Sequence, residues 1–272
     1  MALITLVSAN GAPGVSTTAI GLAMAWPRPV LLVEAAATGS ALLPGLFTGR
    51  NTSPKDDEWA RLTRNTVIEA AASQRYGQLL TNLPNHTIGL DQTGRVQCLL
   101  GYTDPPAQGR NLAGFWGPLA EAAQDLEGAG TDVLVDAGRA GALNEPTPLL
   151  QGAEALIIVT GSNTSASHGA RTLAGRFRAE REPAGTADTL GVAVVGPNRP
   201  YSSGNVAERA IRLPLWFEIP WDPQNAAVYS DGDKPTKKFQ DSAFARSMVT
   251  GAEQITRRIR DRRARLTQRI SR

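Results

Sequence analysis

A glycine-rich segment near the amino end of the sequence has residues of a type and spacing that could bind an anion. Residues 9–17 read Ala-Asn-Gly-Ala-Pro-Gly-Val-Ser-Thr, after an apolar run at Leu3–Val7 and before small and apolar residues at helical spacing. A loop of this kind at the amino end of a helix exposes successive backbone N–H groups, and the helix dipole adds partial positive charge. The segment therefore predicts a cradle for an anion such as phosphate.

The elements that would position this loop alternate along the chain as strand and helix. Short apolar runs typical of buried strands are separated by segments in which apolar residues recur at helical spacing. The predicted strands are Leu3–Val7, Pro29–Glu34, Val96–Gly101, Asp132–Arg139, Ala155–Thr160, Leu190–Gly196 and Leu213–Pro220. The first predicted helix begins at Ser16 or Thr17, and further helices are predicted over 56–74, 112–126 and Ser165–Arg181. This order predicts an α/β fold with a doubly wound, mainly parallel sheet, helices on both faces and a ligand crevice at the carboxyl strand ends.

Residues 9–17 resemble the deviant Walker A loop of the ParA/MinD family of P-loop ATPases, whose pattern is Gly-Lys-Gly-Gly-x-Gly-Lys-Thr-Thr. The matching residues are Gly11, Gly14, Ser16 and Thr17. Asn10 stands at the signature lysine that in the family reaches across the dimer, and Val15 stands at the lysine that contacts the β- and γ-phosphates. The only lysines of the sequence are Lys55, Lys234, Lys237 and Lys238. The sequence therefore resembles a degenerate member of the family.

The resemblance extends to acidic residues and a glycine at other strand ends. The family's second strand ends in an Asp-x-Asp pair that positions the attacking water, and here Glu34 and Ala36 stand at those positions. Asp136 corresponds to the Walker B aspartate that holds the water shell of magnesium, and Gly138 to the glycine whose N–H senses the γ-phosphate. The resemblance thus implies Ser16 and Asp136 as magnesium-site residues. A strand-terminal aspartate also caps loops without binding a ligand, and both interpretations remain open.

Two residues late in the predicted sheet are candidates for contact with a nucleobase. In the resembled family an asparagine just after a strand reads the adenine edge, and Asn198 follows the predicted strand Leu190–Gly196. A turn role is the simpler interpretation of Asn198. Trp221 begins a loop that in the family packs around the base, and it is predicted to contact either the base or the core.

Composition narrows the class of protein. Hydrophobic residues make up 42% and charged residues 19% of the chain, and no apolar run reaches the roughly 18 residues needed to span a bilayer. No charged region precedes the first apolar stretch, so a secretory signal is not expected and the cytoplasm is the expected location. Cys98 is the single cysteine, which excludes an internal disulfide, argues against zinc and predicts a buried thiol.

Residues 242–272 predict a basic amphipathic helix that follows an α/β domain at residues 1–241. Apolar residues recur every three, four or seven positions from Phe244 to Ile270, with Arg262 interrupting, and arginines surround them over Arg257–Arg272. Such a helix can lie on an anionic membrane surface, contact DNA phosphates, pair with a partner helix, or form the last helix of the fold. All four interpretations remain open.

Two functions follow from the resemblance. The first is a pseudo-ATPase that keeps the fold as a dimerising scaffold for positioning or assembly, with an unknown protein partner and a homodimer as the expected state. The second is a functional partition or positioning ATPase with ATP-gated dimerisation. ATP and Mg²⁺ are the ligands that the resemblance implies, but the missing charged side chains argue against tight binding and against turnover. Between the two functions lies a protein that binds nucleotide weakly through backbone N–H groups without hydrolysing it. A DNA-binding module would rest on the arginine-rich end alone.

Overall fold

The computed structural model describes residues 3–9, 14–39, 41–42, 45–46, 83–101, 114–142, 144–196 and 201–270. Its strands are β1 Leu3–Ser8, β2 Val30–Glu34, β3 Ile88–Gly89, β4 Val96–Leu99, β5 Asp132–Arg139, β6 Ala155–Gly161, β7 Leu190–Val195 and β8 Leu215–Ile219. They form an 8-stranded sheet in the order β3-β4-β2-β5-β1-β6-β7-β8. All neighbouring strands are parallel except β3 and β4, so the predicted doubly wound sheet is confirmed.

Helices cover both faces of this sheet. They are α1 Val15–Ala25, α2 Trp116–Gly128, α3 Thr147–Gln151, α4 Thr164–Arg181, α5 Pro223–Ser230 and α6 Ala243–Ile270, with a π-helix at Asn205–Ile211. One apolar core lies between the sheet and α2, α3 and α4, and the other lies between the sheet and α1 and α6. Because both faces are covered, the central strands are buried along their length, which explains their nearly continuous apolar sequences.

The long helix α6 is packed against the sheet over its first half. Its buried stripe includes Met248, Ile255 and Ile259, which belong to the same core as the strand residues Ile4 and Leu6. Two glycines allow α6 to approach α1 and the sheet closely. A Cβ at Gly21 would lie 2.7 Å from the Met248 sulfur, and a Cβ at Gly251 would lie 2.9 Å from the Phe217 ring. The first half of α6 is therefore the last helix of the fold.

Several elements differ from the predictions. Helix α2 begins at Trp116 rather than at position 112, and the helix predicted over 56–74 lies outside the described residues. The two-residue strand β3 and the five-residue helix α3 are too short to produce a periodic pattern. A loop was predicted from Trp221 onward, but α5 begins at Pro223, because the Asp222 carboxylate caps it by accepting from the Asn225 N–H at 3.2 Å.

Within the described part of the chain, no helix combines the length and apolarity that crossing a bilayer requires.

Candidate functional site

The carboxyl end of β1 leads into the glycine-rich loop and then into α1. Gly14 is the residue before the helix and has φ of 83°, the left-handed region that glycine enters without strain. Its carbonyl oxygen accepts from the Thr18 N–H at 2.8 Å, which closes the first turn. Helix α1 starts at Val15, so Ser16 and Thr17 lie in its first turn. Gly11 lies outside the described residues.

Ser16 and Asp136 are brought together by the pairing of β1 with β5. Asp136 lies opposite Leu6 in that pairing and is 3% exposed. Its carboxylate accepts from the Ser16 hydroxyl and, through Oδ1 at 2.9 Å, from the Gly138 N–H. Burial raises the pKa of the Asp136 carboxyl above its ordinary value, while these two hydrogen bonds act in the opposite direction.

Replacing Asp136 with asparagine is expected to stabilise the protein in a pH-dependent way. Folding raises the pKa of Asp136, so the protonated carboxyl stabilises the folded protein relative to the ionised one. This stabilisation is fully present at pH values below the pKa of the unfolded state, and it is lost as pH rises through the pKa of the folded state. Asp136→Asn should therefore be more stable than the wild type at neutral pH, and this advantage should shrink in acid. Urea unfolding at a series of pH values measures it, with Asp261→Asn on the exposed side of α6 as control. An Asp136→Asn protein less stable than wild type at neutral pH would contradict the expectation.

Glu34 is a buried structural carboxylate. It ends β2 and is 2% exposed. Oε1 accepts from the backbone N–H groups of Ala41 and Leu42 at 3.0 and 2.9 Å, and Oε2 accepts from the Gly101 N–H at 3.0 Å. Since the carboxylate joins the segments that follow β2 and β4, it is committed to holding those segments together. Beside it, the predicted buried thiol of Cys98 is confirmed, and burial, with Glu34 and Asp136 nearby, raises the pKa of that thiol.

The position of the family's second acidic residue is filled by a methyl group. Ala36 is 6% exposed and packs against Gly138, which has φ of +61°. A Cβ at Gly138 would lie 2.6 Å from the Ala36 Cβ and 3.1 Å from its Cα. The carboxyl end of β5 is therefore in direct contact with the residues just after β2, the position at which the resembled family carries its water-positioning carboxylate.

The positively charged side chains that the resembled family places around a phosphate are not found at the same positions in this chain. Val15 is 7% exposed and belongs to the core that α1 shares with the sheet. Asn10 lies outside the described residues. Arg139, a residue that the sequence motifs did not single out, donates from its Nε to the carbonyl oxygen of Ala9 at 3.1 Å. Its position directly after Gly138 was the available signal.

A cavity of about 260 Å³ adjoins the loop on the α5 side. Its lining includes Gly14, Thr17 and Trp221. Trp221 is 67% exposed, so the alternative that it belongs to the core is wrong. Its ring lies over Gly196 at the end of β7, where a Cβ would be 3.2 Å from the indole. The cavity thus has the exposed face of an aromatic ring at its edge, while Asn198 lies outside the described residues.

The arginines near the carboxyl end of α6 are partly paired within the chain. Arg262 forms an ion pair with Asp188 at 2.9 Å, and Arg263 forms ion pairs with Glu127 at 2.6 Å and Glu154 at 2.5 Å. The residue that interrupts the apolar stripe thus has an acidic partner. The exposed arginines of this helix include Arg257 and Arg260.

Solved structures of nucleotide-binding proteins share this architecture, whereas no protein-family model and no curated protein sequence matches the chain. MinD from Pyrococcus horikoshii, complexed with Mg-ADP, has 21% identity and a TM-score of 0.65 over 93% of this chain and 95% of that chain. A ParA family ATPase from Chlorobium tepidum has 16% identity and a TM-score of 0.62 over 93% and 98%. An ATP complex of a McdA variant from Cyanothece has 14% identity and a TM-score of 0.64 over 95% and 96%.

The TM-scores establish the fold. The activity of this chain has to be inferred from its own residues, because the sequence identities are low. The similarity covers nearly the whole chain, and β1, α1 and β5 occupy the arrangement that the sequence resemblance implies. The protein therefore has the fold of the MinD and ParA P-loop ATPases.

Proposed function

We propose that this protein is a non-hydrolysing protein of the ParA/MinD fold, a scaffold for positioning or assembly that can hold a nucleotide but does not turn it over. The observation that carries the proposal is the state of the two acidic positions after β2. Glu34 accepts hydrogen bonds from three backbone N–H groups, and Ala36 packs its methyl group on Gly138.

Hydrolysis of a phosphoanhydride depends on charge stabilisation and on an oriented water. Removing one such electrostatic contact typically costs about 3 kcal/mol of transition-state stabilisation. Here Val15 replaces the phosphate-contacting lysine and is buried in the core, and Ala36 can neither accept a proton nor orient a water. Loss of both functions argues against turnover.

The groups that would bind a nucleotide without hydrolysing it are still present. Gly14 has the left-handed conformation, Ser16 lies in the first turn of α1, and Ser16 and Asp136 are hydrogen-bonded to each other. Ser16 and Asp136 fit the role of supporting Mg²⁺ and its water shell, since hydroxyl and carboxylate oxygens are its usual protein partners. Trp221 offers an aromatic face to a base. These features support Mg²⁺-nucleotide as the ligand class.

A homodimer and a protein partner are part of the same proposal. One solved structure with this fold is a MinC:MinD complex from Aquifex aeolicus, in which MinD has 15% identity to this chain. The arginine-rich segment Arg257–Arg272 is the proposed site of any contact with a membrane surface or DNA. Because Arg262 and Arg263 are already ion-paired, such a contact would depend on arginines like Arg257 and Arg260.

Thermal melting and phosphate release together test the proposal. We expect Mg-ATP to raise the melting temperature, because a ligand that binds only the folded state stabilises it by mass action. Phosphate release should stay at the background of a protein-free sample. Ser16→Ala should reduce the thermal shift, whereas Thr256→Ala, which removes a hydroxyl on the far part of α6, should not.

Two results would overturn the proposal. Steady phosphate release that disappears in Ser16→Ala would establish the alternative, an ATP-hydrolysing partition or positioning protein. A melting temperature that no nucleotide changes would remove nucleotide binding from the proposal. Light scattering during size-exclusion chromatography, with and without Mg-ATP, measures whether the dimer exists and whether ATP controls it.

A further inference from the structure

A cleft of about 570 Å³ lies between α6 and the turn that precedes β2. Pro27 and Arg28 line it from the turn, and α6 contributes positions 253, 256, 257, 260 and 263. These positions recur at the spacing of one helix face, and they span about 15 Å along the helix axis. A cleft of this length accommodates about four or five residues of an extended peptide.

The cleft lies at the amino edge of the sheet, away from the glycine-rich loop. Arg28 is two residues before β2 begins. Arg263 pairs with Glu127 and Glu154, which precede β5 and β6. Gly14, by contrast, follows the carboxyl end of β1. A ligand in the cleft would therefore not compete with a nucleotide at the loop.

Two of the four lining arginines are held by carboxylates of the fold. Arg28 lies 3.6 Å from the buried carboxylate of Asp132. The two terminal nitrogens of Arg263 donate to the two carboxylate oxygens of Glu127, at 2.6 and 3.1 Å. The same guanidinium donates to both oxygens of Glu154, at 3.0 and 2.5 Å. These pairs fix the end of α6 against the domain and show a guanidinium of this cleft in the bidentate geometry that carboxylates favour.

The other two lining arginines keep most of their charge for a ligand. Arg257 is exposed and donates to the side-chain oxygen of Gln254, and no ion pair holds it among the residues that the structure describes. Arg260 is 75% exposed, and its 3.8 Å approach to the exposed Asp261 is the kind of surface pair that contributes little. Glu253, the acidic side chain of the lining, lies at the first end of the same helix face. The unpaired positive charge is therefore confined to the middle of the cleft.

A membrane surface and a nucleic acid fit this region less well than a peptide does. The apolar stripe of α6, including Ile255, is buried in the core and is not available for insertion into lipid. No aromatic side chain among the described lining residues could stack on a base. A duplex needs an extended basic surface, but Arg258 lies over the Trp216 ring. Arg262, farther along the helix, is paired with Asp188.

We propose that this cleft binds an extended acidic segment of a protein partner, whose carboxylates pair with Arg257 and Arg260. The planar fork of a guanidinium binds a carboxylate through two parallel hydrogen bonds. The ring of Pro27 and the methyl group of Thr256 offer apolar contact to the carbon atoms of such a segment. The inference gives the scaffold proposed above a class of protein partner, and it does not depend on nucleotide binding.

Fluorescence anisotropy of a labelled hexaglutamate peptide, titrated with the full chain, tests the proposal. The peptide should bind, and added salt should weaken the binding because the charges involved are exposed. A hexaglutamine peptide of the same length should bind at least about tenfold more weakly. The double variant Arg257→Glu with Arg260→Glu should lose about tenfold or more of the affinity for hexaglutamate.

The matched control is the double variant Arg246→Glu with Lys237→Glu. It changes the net charge of the chain by the same amount, and both side chains are exposed and lie outside the cleft lining. This control should change the affinity for hexaglutamate by less than about twofold, because screening weakens charges that do not touch the peptide. Melting temperatures of both double variants verify that the fold is retained.

Several results would overturn the acidic-peptide proposal. Hexaglutamate that fails to bind, or that binds the Arg257→Glu, Arg260→Glu variant as well as the wild type, would remove it. Equal losses in the two double variants would show a response to net charge without a specific site. Tighter binding of duplex DNA or of phosphatidylserine vesicles through the same two arginines would assign the cleft to a nucleic acid or a membrane instead. The thermal shift with Mg-ATP, measured on the same samples, reports separately on the nucleotide.

Discussion

Glu34→Ala is expected to lower the free energy of unfolding by about 3 kcal/mol or more, because the buried N–H groups of Leu42 and Gly101 and the half-buried N–H of Ala41 lose their acceptor. Each unsatisfied buried donor costs about 1–3 kcal/mol. For a chain of this size, such a loss corresponds to a melting temperature lower by roughly 6–12 °C. The effect would identify Glu34 as a residue that holds the ends of β2 and β4 together.

Urea unfolding monitored by circular dichroism measures this change. The matched control is Glu218→Ala, which removes an exposed carboxylate on the edge strand β8 and should change stability by less than about 0.5 kcal/mol. Glu34→Gln should be intermediate, because the amide keeps one oxygen but replaces the other with a donor that faces an N–H group. An unchanged Glu34→Ala midpoint, combined with lost phosphate release, would instead indicate a catalytic carboxylate.

Gly138→Ala is expected to destabilise the protein by about 2–4 kcal/mol, from backbone strain of about 1 kcal/mol and steric overlap of about 1–3 kcal/mol. Gly138 has φ of +61°, and an added Cβ would lie 2.6 Å from the Ala36 Cβ. Gly141→Ala is the matched control, since Gly141 has φ of +77° but no atom within 4 Å of an added Cβ. It should show the backbone term alone, about 1 kcal/mol.

Ala36→Gly provides the second half of this experiment. In the double variant the two Cβ atoms no longer meet, although the Ala36 Cα position remains 3.1 Å from the added methyl group. The double variant should therefore be more stable than the sum of the two single changes predicts, because part of the steric overlap between positions 36 and 138 is relieved. Equal losses in Gly138→Ala and Gly141→Ala, without coupling to position 36, would show that β5 and β2 are not in contact through these residues.

The fold and the start of α1 could be predicted because they depend on residue type and local spacing. Apolar runs identified the parallel strands, and helix α1 begins at Val15, one or two residues before its predicted start at Ser16 or Thr17. Asp136 was expected beside the loop since parallel strands bring their carboxyl ends to one edge of the sheet, and its hydrogen bond with Ser16 agrees. The binding roles of Gly11 and Asn198 stay predictions, because both lie outside the described residues.

Arg139 and Glu34 show where local patterns stop being informative. Glu34 occupies a family acidic position, but its role depends on N–H groups at Ala41, Leu42 and Gly101, and Gly101 is far away along the chain. Arg139 ends strand β5, whose neighbour β1 lies more than a hundred residues earlier in the chain, and only their pairing places the Arg139 side chain against Ala9. Neither the contacts of Glu34 nor the contact of Arg139 produces a periodic pattern in the sequence.

The sequence by itself determined the order of strands and helices and the absence of lysine from the glycine-rich loop at residues 9–17, because these are properties of residue type and spacing. Only the tertiary structure decided which charged groups remain available at that loop. A carboxylate or guanidinium is defined by what it contacts, and in this protein those contacts come from strands and loops distant in sequence. For that reason Glu34 is bound within the fold, while Arg139 is held against the carbonyl oxygen of Ala9 at the end of β1.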